Sequence, residues 1–151
     1  MSNLPVGPIH HLRLAVTDVE RSTAFYTEIL GFEVVVPGPP PPEDEGHDAI
    51  LDSLQGGVIL AHEGMFFGLR PVDEERATAA DRFDPFRVGL DHLSFAAPTR
   101  AALDEAARLL DERGVEHGPI RDLTPLGLSF LAFFDPDGIA LELSAPIADP
   151  G

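Results

Sequence analysis

The chain of 151 residues echoes itself at a fixed interval. His11 opens the run HLRLAV and His92 opens HLSFAA, an offset of 92 − 11 = 81 residues. Gly57 and Gly138, each taken with the four residues after it, stand at 138 − 57 = 81 as well, and the second run ends at Glu142. Self-similarity seen twice at one offset constrains architecture before any single segment is read, because it calls for two similar modules in one chain. It also sets His11, His92 and Glu142 at equivalent strand ends. Two imidazoles and one carboxylate form a ligand set suited to divalent metals.

Within each module the hydrophobic period switches between two and 3.6. Residues 10–16 read as a strand with Leu12 and Leu14 on one face and His11, Arg13 and Ala15 on the other. Thr17 or Asp18 caps a helix whose buried stripe is Ala24, Phe25, Ile29 and Leu30, and Gly31 ends it. Glu33–Val36 is a short strand. Residues 37–48, with four consecutive prolines, exclude regular structure because proline supplies no N–H. Residues 49–54 and 58–61 are expected to form a hairpin around Gln55, Gly56 and Gly57. Module one, about 8–63, is thus strand, helix and three strands.

A connecting segment, 64–88, holds one helical turn near Glu74–Asp81. Module two, about 89–146, repeats the order. It has a strand at 89–96, a Thr99-capped helix at 100–113 stopped by Gly114, and a short edge strand at 115–117. A hairpin of 129–134 with 139–144 follows, around Asp135-Pro136-Asp137-Gly138. The expected fold class is α+β, two βαβββ modules in one domain spanning 1–151.

Composition narrows the partners. The formal charge is −16, and all ten basic residues are Arg. Such acidity argues against nucleic acid and anionic membranes as partners. Without cysteine, neither a disulfide framework nor a thiolate metal site is available. No run of 18 apolar residues and no signal peptide is recognised, so a cytoplasmic location is expected.

The order βαβββ twice, carried by HLRLAVTDVERSTAFYTEILGF, GLDHLSFAA and FFDPDGIALEL, resembles the vicinal oxygen chelate superfamily over about residues 8–146. That group includes glyoxalase I, extradiol dioxygenases, methylmalonyl-CoA epimerase, fosfomycin-resistance enzymes and bleomycin-binding proteins. The resemblance implies sheets curled into a cup around one divalent metal (Fe, Mn, Zn, Ni or Co), with His11, His92 and Glu142 as ligands. It also implies a homodimer in which modules pair between chains. The offset sends Glu142 back to Ala61, since 142 − 81 = 61, where glyoxalase I usually holds a fourth ligand and alanine cannot serve. His62 is next door but points to the opposite face of a regular strand, and only a bulge would bring it in.

Arg13 shares the inward face with His11 and is a candidate clamp for substrate oxygens or an anion; the competing role is an internal ion pair with Glu142 or another acid. Ser94 is its counterpart and a polar wall of the site. These two are the candidate catalytic residues. His47, His62 and His117 read as solvated or structural, and Tyr26 as packing. Three ligands leave coordination positions open for a small oxygen-rich substrate. Dioxygenation, isomerisation and addition all remain open. A glyoxalase I reading is weakened by Ala61, a dioxygenase reading by the chain's length, and a fosfomycin-type reading by the lack of a Lys/Arg cluster. The alternative is a non-enzymatic binder of the bleomycin-binding type, holding an aromatic drug or natural product in the cup against phenylalanines.

Overall fold

The computed structural model describes residues 3–148, so the expected domain of 1–151 extends past it at both ends. The chain divides into two compact units at Asp81/Arg82. No helix among the described residues is long and apolar enough to cross a membrane.

The first unit runs β1 (His11–Val16), α1 (Val19–Glu28), β2 (Glu33–Val36), α2 (His47–Leu54), β3 (Val58–His62), β4 (Met65–Pro71) and α3 (Glu74–Thr78). Its sheet order is β1-β4-β3-β2, with β1 parallel to β4 and the other pairs antiparallel. Asp18 caps α1 by accepting from Arg21 N–H at 3.0 Å, and Gly31 takes the positive φ just beyond it. Tyr26 on α1 is fully buried, with its ring 5.0 Å from Phe67 and 5.8 Å from Phe32. Leu14, Val16, Leu60 and Leu69 complete this core. Burial of each such side chain contributes about 1.5–3 kcal/mol. His11, Arg13, Ile59, Phe66 and Gly68 are strand partners that share the opposite face.

The second unit runs β5 (Leu93–Ala96), α4 (Arg100–Glu112), β6 (Arg121–Leu123), a 3-10 turn (Thr124–Leu126), β7 (Leu128–Phe134) and β8 (Ala140–Pro146). Its sheet order is β5-β8-β7-β6, again with the first and last strands parallel. Thr99 caps α4 by accepting from Ala102 N–H, and Leu103 and Leu110 bury against the face carrying Leu131, Phe133 and Leu141. Asp135, itself buried, closes the β7–β8 turn by accepting from the N–H groups of Asp137 and Ile139, both at 2.9 Å.

The two-module reading stands, but its internal alignment needs correction. The segment 49–54 is not a strand: it lies in α2, where apolar Ile50, Leu51 and Leu54 follow the helical period. The third strand of the first sheet is β4, inside the stretch read as a connection. It joins β3 through a two-residue turn at Glu63 and Gly64, both at positive φ. In the second unit the edge strand is β6, while His117 makes only an isolated bridge to Phe133. The Glu142–Ala61 match fails in consequence. Arg13 pairs with Gly68 across β1 and β4, as Ser94 pairs with Glu142 across β5 and β8. The first strands keep the offset of 81, since 94 − 13 = 81, whereas the last strands stand at 142 − 68 = 74. The segment holding α2 between β2 and β3, answered in the second unit by a 3-10 turn, changes the interval. Gly68, not Ala61, occupies the place of Glu142.

Gly57 is demanded by a close approach. A Cβ there would lie 2.0 Å from the backbone oxygen of Leu69. Backbone cannot step aside as a side chain can, so Gly57→Ala should destabilise the chain by about 2 kcal/mol or more, read from urea unfolding. A change within roughly 0.5 kcal/mol, the range of neutral surface substitutions, would show that β3 and β4 do not approach this closely at Gly57.

Candidate metal centre

Three residues expected in the site come together in the second unit. His92 immediately precedes β5, Ser94 lies on that strand, and Glu142 faces Ser94 from β8. The Glu142 side chain is only 17% exposed, so its charge needs partners. Its Oε1 lies 3.0 Å from Ser94 Oγ and 2.8 Å from Ser144 Oγ; one hydroxyl donates to it while the other donates to its neighbouring hydroxyl. The two hydroxyls are 2.5 Å apart and form one polar cradle. Hydrogen bonds to a charged group stabilise by about 1.5–3 kcal/mol each. Glu142 Oε2 is turned toward His92 Nε2, 3.9 Å away. On the other edge of that ring, Nδ1 meets Asp91 Oδ1 at 2.5 Å. A carboxylate only accepts, so Nδ1 is the ring nitrogen that donates to Asp91, and Nε2 is the one on the Glu142 side. Both groups thus have one atom tied and one offered to the same gap. Such tying of the far side of a ligand is what orients metal-binding imidazoles and carboxylates.

Ser144 and Asp91 are additions to the residues read from sequence. Ser144 was findable, being two residues from Glu142 on a strand and so on its face. Asp91 carried no periodic signal. Ser94 touches Glu142 rather than open solvent alone, which makes it a positioning residue for the carboxylate.

The first unit places His11 and Arg13 side by side on β1, lining a cavity of about 400 Å³ with Val36, Leu54, Ile59 and Phe66. His11 Nδ1 lies 3.0 Å from His10 Nδ1. Within its own unit, Arg13 is held by backbone: its Nη2 donates to the oxygen of Leu54, at the end of α2, at 2.5 Å. Its stem crosses Gly68, where a Cβ would come within 2.9 Å of Arg13 Cγ. Ala61 sits on β3 opposite Glu33 and Phe66. His62 stacks on Phe32 at 4.9 Å and 9°. His47 Nδ1 contacts the Pro40 oxygen at 2.7 Å, tying the proline-rich loop to α2. No group of three His, Asp or Glu side chains positioned to hold an ion occurs among the described residues.

A family model, the glyoxalase/bleomycin resistance protein/dioxygenase superfamily, matches residues 8–143. YwkD of Bacillus subtilis (strain 168) is 37% identical over 135 residues, 89% of this chain and 94% of that protein. YaeR of Escherichia coli (strain K12) is 31% identical over 142 residues, 93% and 97% of the two chains. A crystal structure of a glyoxylase/bleomycin resistance protein/dioxygenase domain from Frankia sp. EAN1pec is similar with a TM-score of 0.72 and 29% identity, covering 93% of this chain and 98% of that one.

His117 is structural. Its Nδ1 meets the Gly118 oxygen at 2.7 Å and its Nε2 meets Asp111 Oδ1 at 3.1 Å. The Gly118 carbonyl above all raises its pKa above the usual histidine value; burial opposes this, and the Asp111 carboxylate adds to the rise. A raised folded pKa means the unfolded state releases its proton first as pH rises. The stabilisation is full below about pH 6.5 and is lost as pH climbs through the folded value. The stability difference between wild type and His117→Gln should therefore shrink from acid to alkaline pH in thermal melts. A difference that grows with pH would contradict the assignment.

Proposed function

Since the chain belongs to the glyoxalase/bleomycin resistance protein/dioxygenase superfamily, we propose that it is a cytoplasmic enzyme that works with one divalent ion, Fe, Mn, Zn, Ni or Co, held by His11, His92 and Glu142. The observation that carries this reading is the half-site of the second unit, where Glu142 Oε2 and His92 Nε2 face one gap while their other atoms are tied. The donors are imidazole nitrogen and carboxylate oxygen, which suit these ions. When bound, the ion supplies Lewis acidity toward a carbonyl, enolate or alkoxide, or with iron a place for dioxygen.

The chain's own residues set the rest. Ser94 and Ser144 hold the carboxylate, Asp91 holds the His92 ring, and Arg13 assists a substrate that chelates through two oxygens. Gly68 contributes no fourth ligand, and the Arg13 stem lies over it. The active form is a homodimer in which His11 comes from one subunit and His92 with Glu142 from the other. A non-enzymatic binder of the bleomycin-binding type is the second reading, favoured by the apolar walls beside Arg13.

Elemental analysis of protein purified without chelator should find close to one divalent ion per chain, and His92→Ala should lose most of it while keeping its circular-dichroism spectrum. A wild type that neither carries nor takes up Mn, Fe, Co, Ni or Zn selects the binder instead. Mixing His11→Ala chains with Glu142→Ala chains should restore metal binding, because a shared-site heterodimer regains one intact site. Mixing that restores none places every site within one chain.

A further inference from the structure

The corrected register pairs two unlike solutions at one place in the fold. Where the second unit sets Ser94 beside Glu142, the first sets Arg13 beside Gly68. The two changes are coupled sterically, because any side chain at 68 would meet the Arg13 stem. The carboxylate's place is taken by glycine and the serine's by arginine, so this strand pair carries a guanidinium where the other carries a carboxylate. We propose that this cavity of the first unit is a carboxylate-binding subsite, and that its ligand is a small organic acid whose carboxylate meets Arg13 and whose apolar portion, an aromatic ring or branched alkyl group, lies against Val36, Leu54, Ile59 and Phe66.

Charge argues for the anion. The chain carries a net −16, yet no Asp or Glu is among the residues lining this cavity, where Arg13 is the one permanent charge. The Leu54 oxygen takes a donor of Nη2 and holds the planar group in place, while the other N–H donors of the fork remain for a second acceptor. A fork fixed this way loses little side-chain freedom on pairing with a carboxylate. Shape argues for the tail. Leu54 is buried, while Phe66 is 45% exposed on the cavity side of β4. An apolar ring laid there removes hydrocarbon surface from water, which acetate cannot do. His11 borders the same cavity, so as a substrate class this acid rests on the metal-chelate reading, whereas as a binding site it needs no ion.

Titrating metal-free protein with benzoate, benzamide and acetate by amide-resolved NMR tests the subsite. Benzoate should shift the resonances of Leu54, Ile59, Phe66 and Gly68, and should bind about tenfold or more tighter than benzamide, its neutral isostere, and than acetate. Arg13→Gln should abolish the preference for benzoate over benzamide. Because that change also loosens α2, Val36→Asp provides a second variant: it leaves Arg13 untouched and should weaken benzoate more than benzamide. Equal binding of benzoate and benzamide, or shifts mapping elsewhere, overturns the subsite. A wild type that takes up metal but shows no benzoate preference overturns only this inference. A benzoate preference in a chain that takes up no metal leaves the subsite standing and overturns the metal-dependent enzyme.

Discussion

The parallel pairing of the first strand of each unit with its last is the constraint from which the site follows. Parallel neighbours need a long crossover, and here the helix and the intervening strands supply it. The pairing sets residues far apart in sequence level with one another: Ser94 with Glu142, Arg13 with Gly68. One face of each sheet is sealed by its helix and holds the apolar core. The polar residues, which alternate with the core residues along the strands, are thereby driven onto the other face. The chemistry of this chain is what remains on that face once the core has been satisfied.

In the second unit that face solves a desolvation problem. Glu142 stands in a strand whose neighbours Leu141 and Ala145 are buried, and a poorly solvated carboxylate without partners would be costly. Two serine hydroxyls meet one of its oxygens. The same bonds limit which way the carboxylate turns, so the stabilising contacts also aim the remaining oxygen. Asp91 does the equivalent for the His92 ring from the preceding residue.

In the first unit the same position took another course. With glycine at 68, the arginine stem lies flat across β4, and the Leu54 oxygen receives its guanidinium. Helix α2, which lacks a helical counterpart in the second unit, is thereby tied to β1 and closes one wall of a cavity. The approximate repeat therefore holds for the scaffold and breaks on the face away from each helix, where one sheet carries Glu142 and the other Arg13.

Sequence alone determined the scaffold and the type of chemistry. The histidine-led first strands, the capped helices with their Gly31 and Gly114 stops, and the β7–β8 hairpin around Asp135 are local signals, each decided by backbone sterics and period within a few residues. Family membership and the fold were legible from them. Tertiary structure decided the register between distant strands. The Gly57–Gly138 echo pointed to Ala61, because an interval counted along the chain cannot register an extra helix, and α2 carries apolar residues that a short window reads equally as a strand. Which residue faced Glu142, that Arg13 would be held by a backbone oxygen, and that Asp91 would tie the His92 ring all depend on contacts across strands or on side-chain torsions. No periodicity encodes those, so only the folded chain could reveal them.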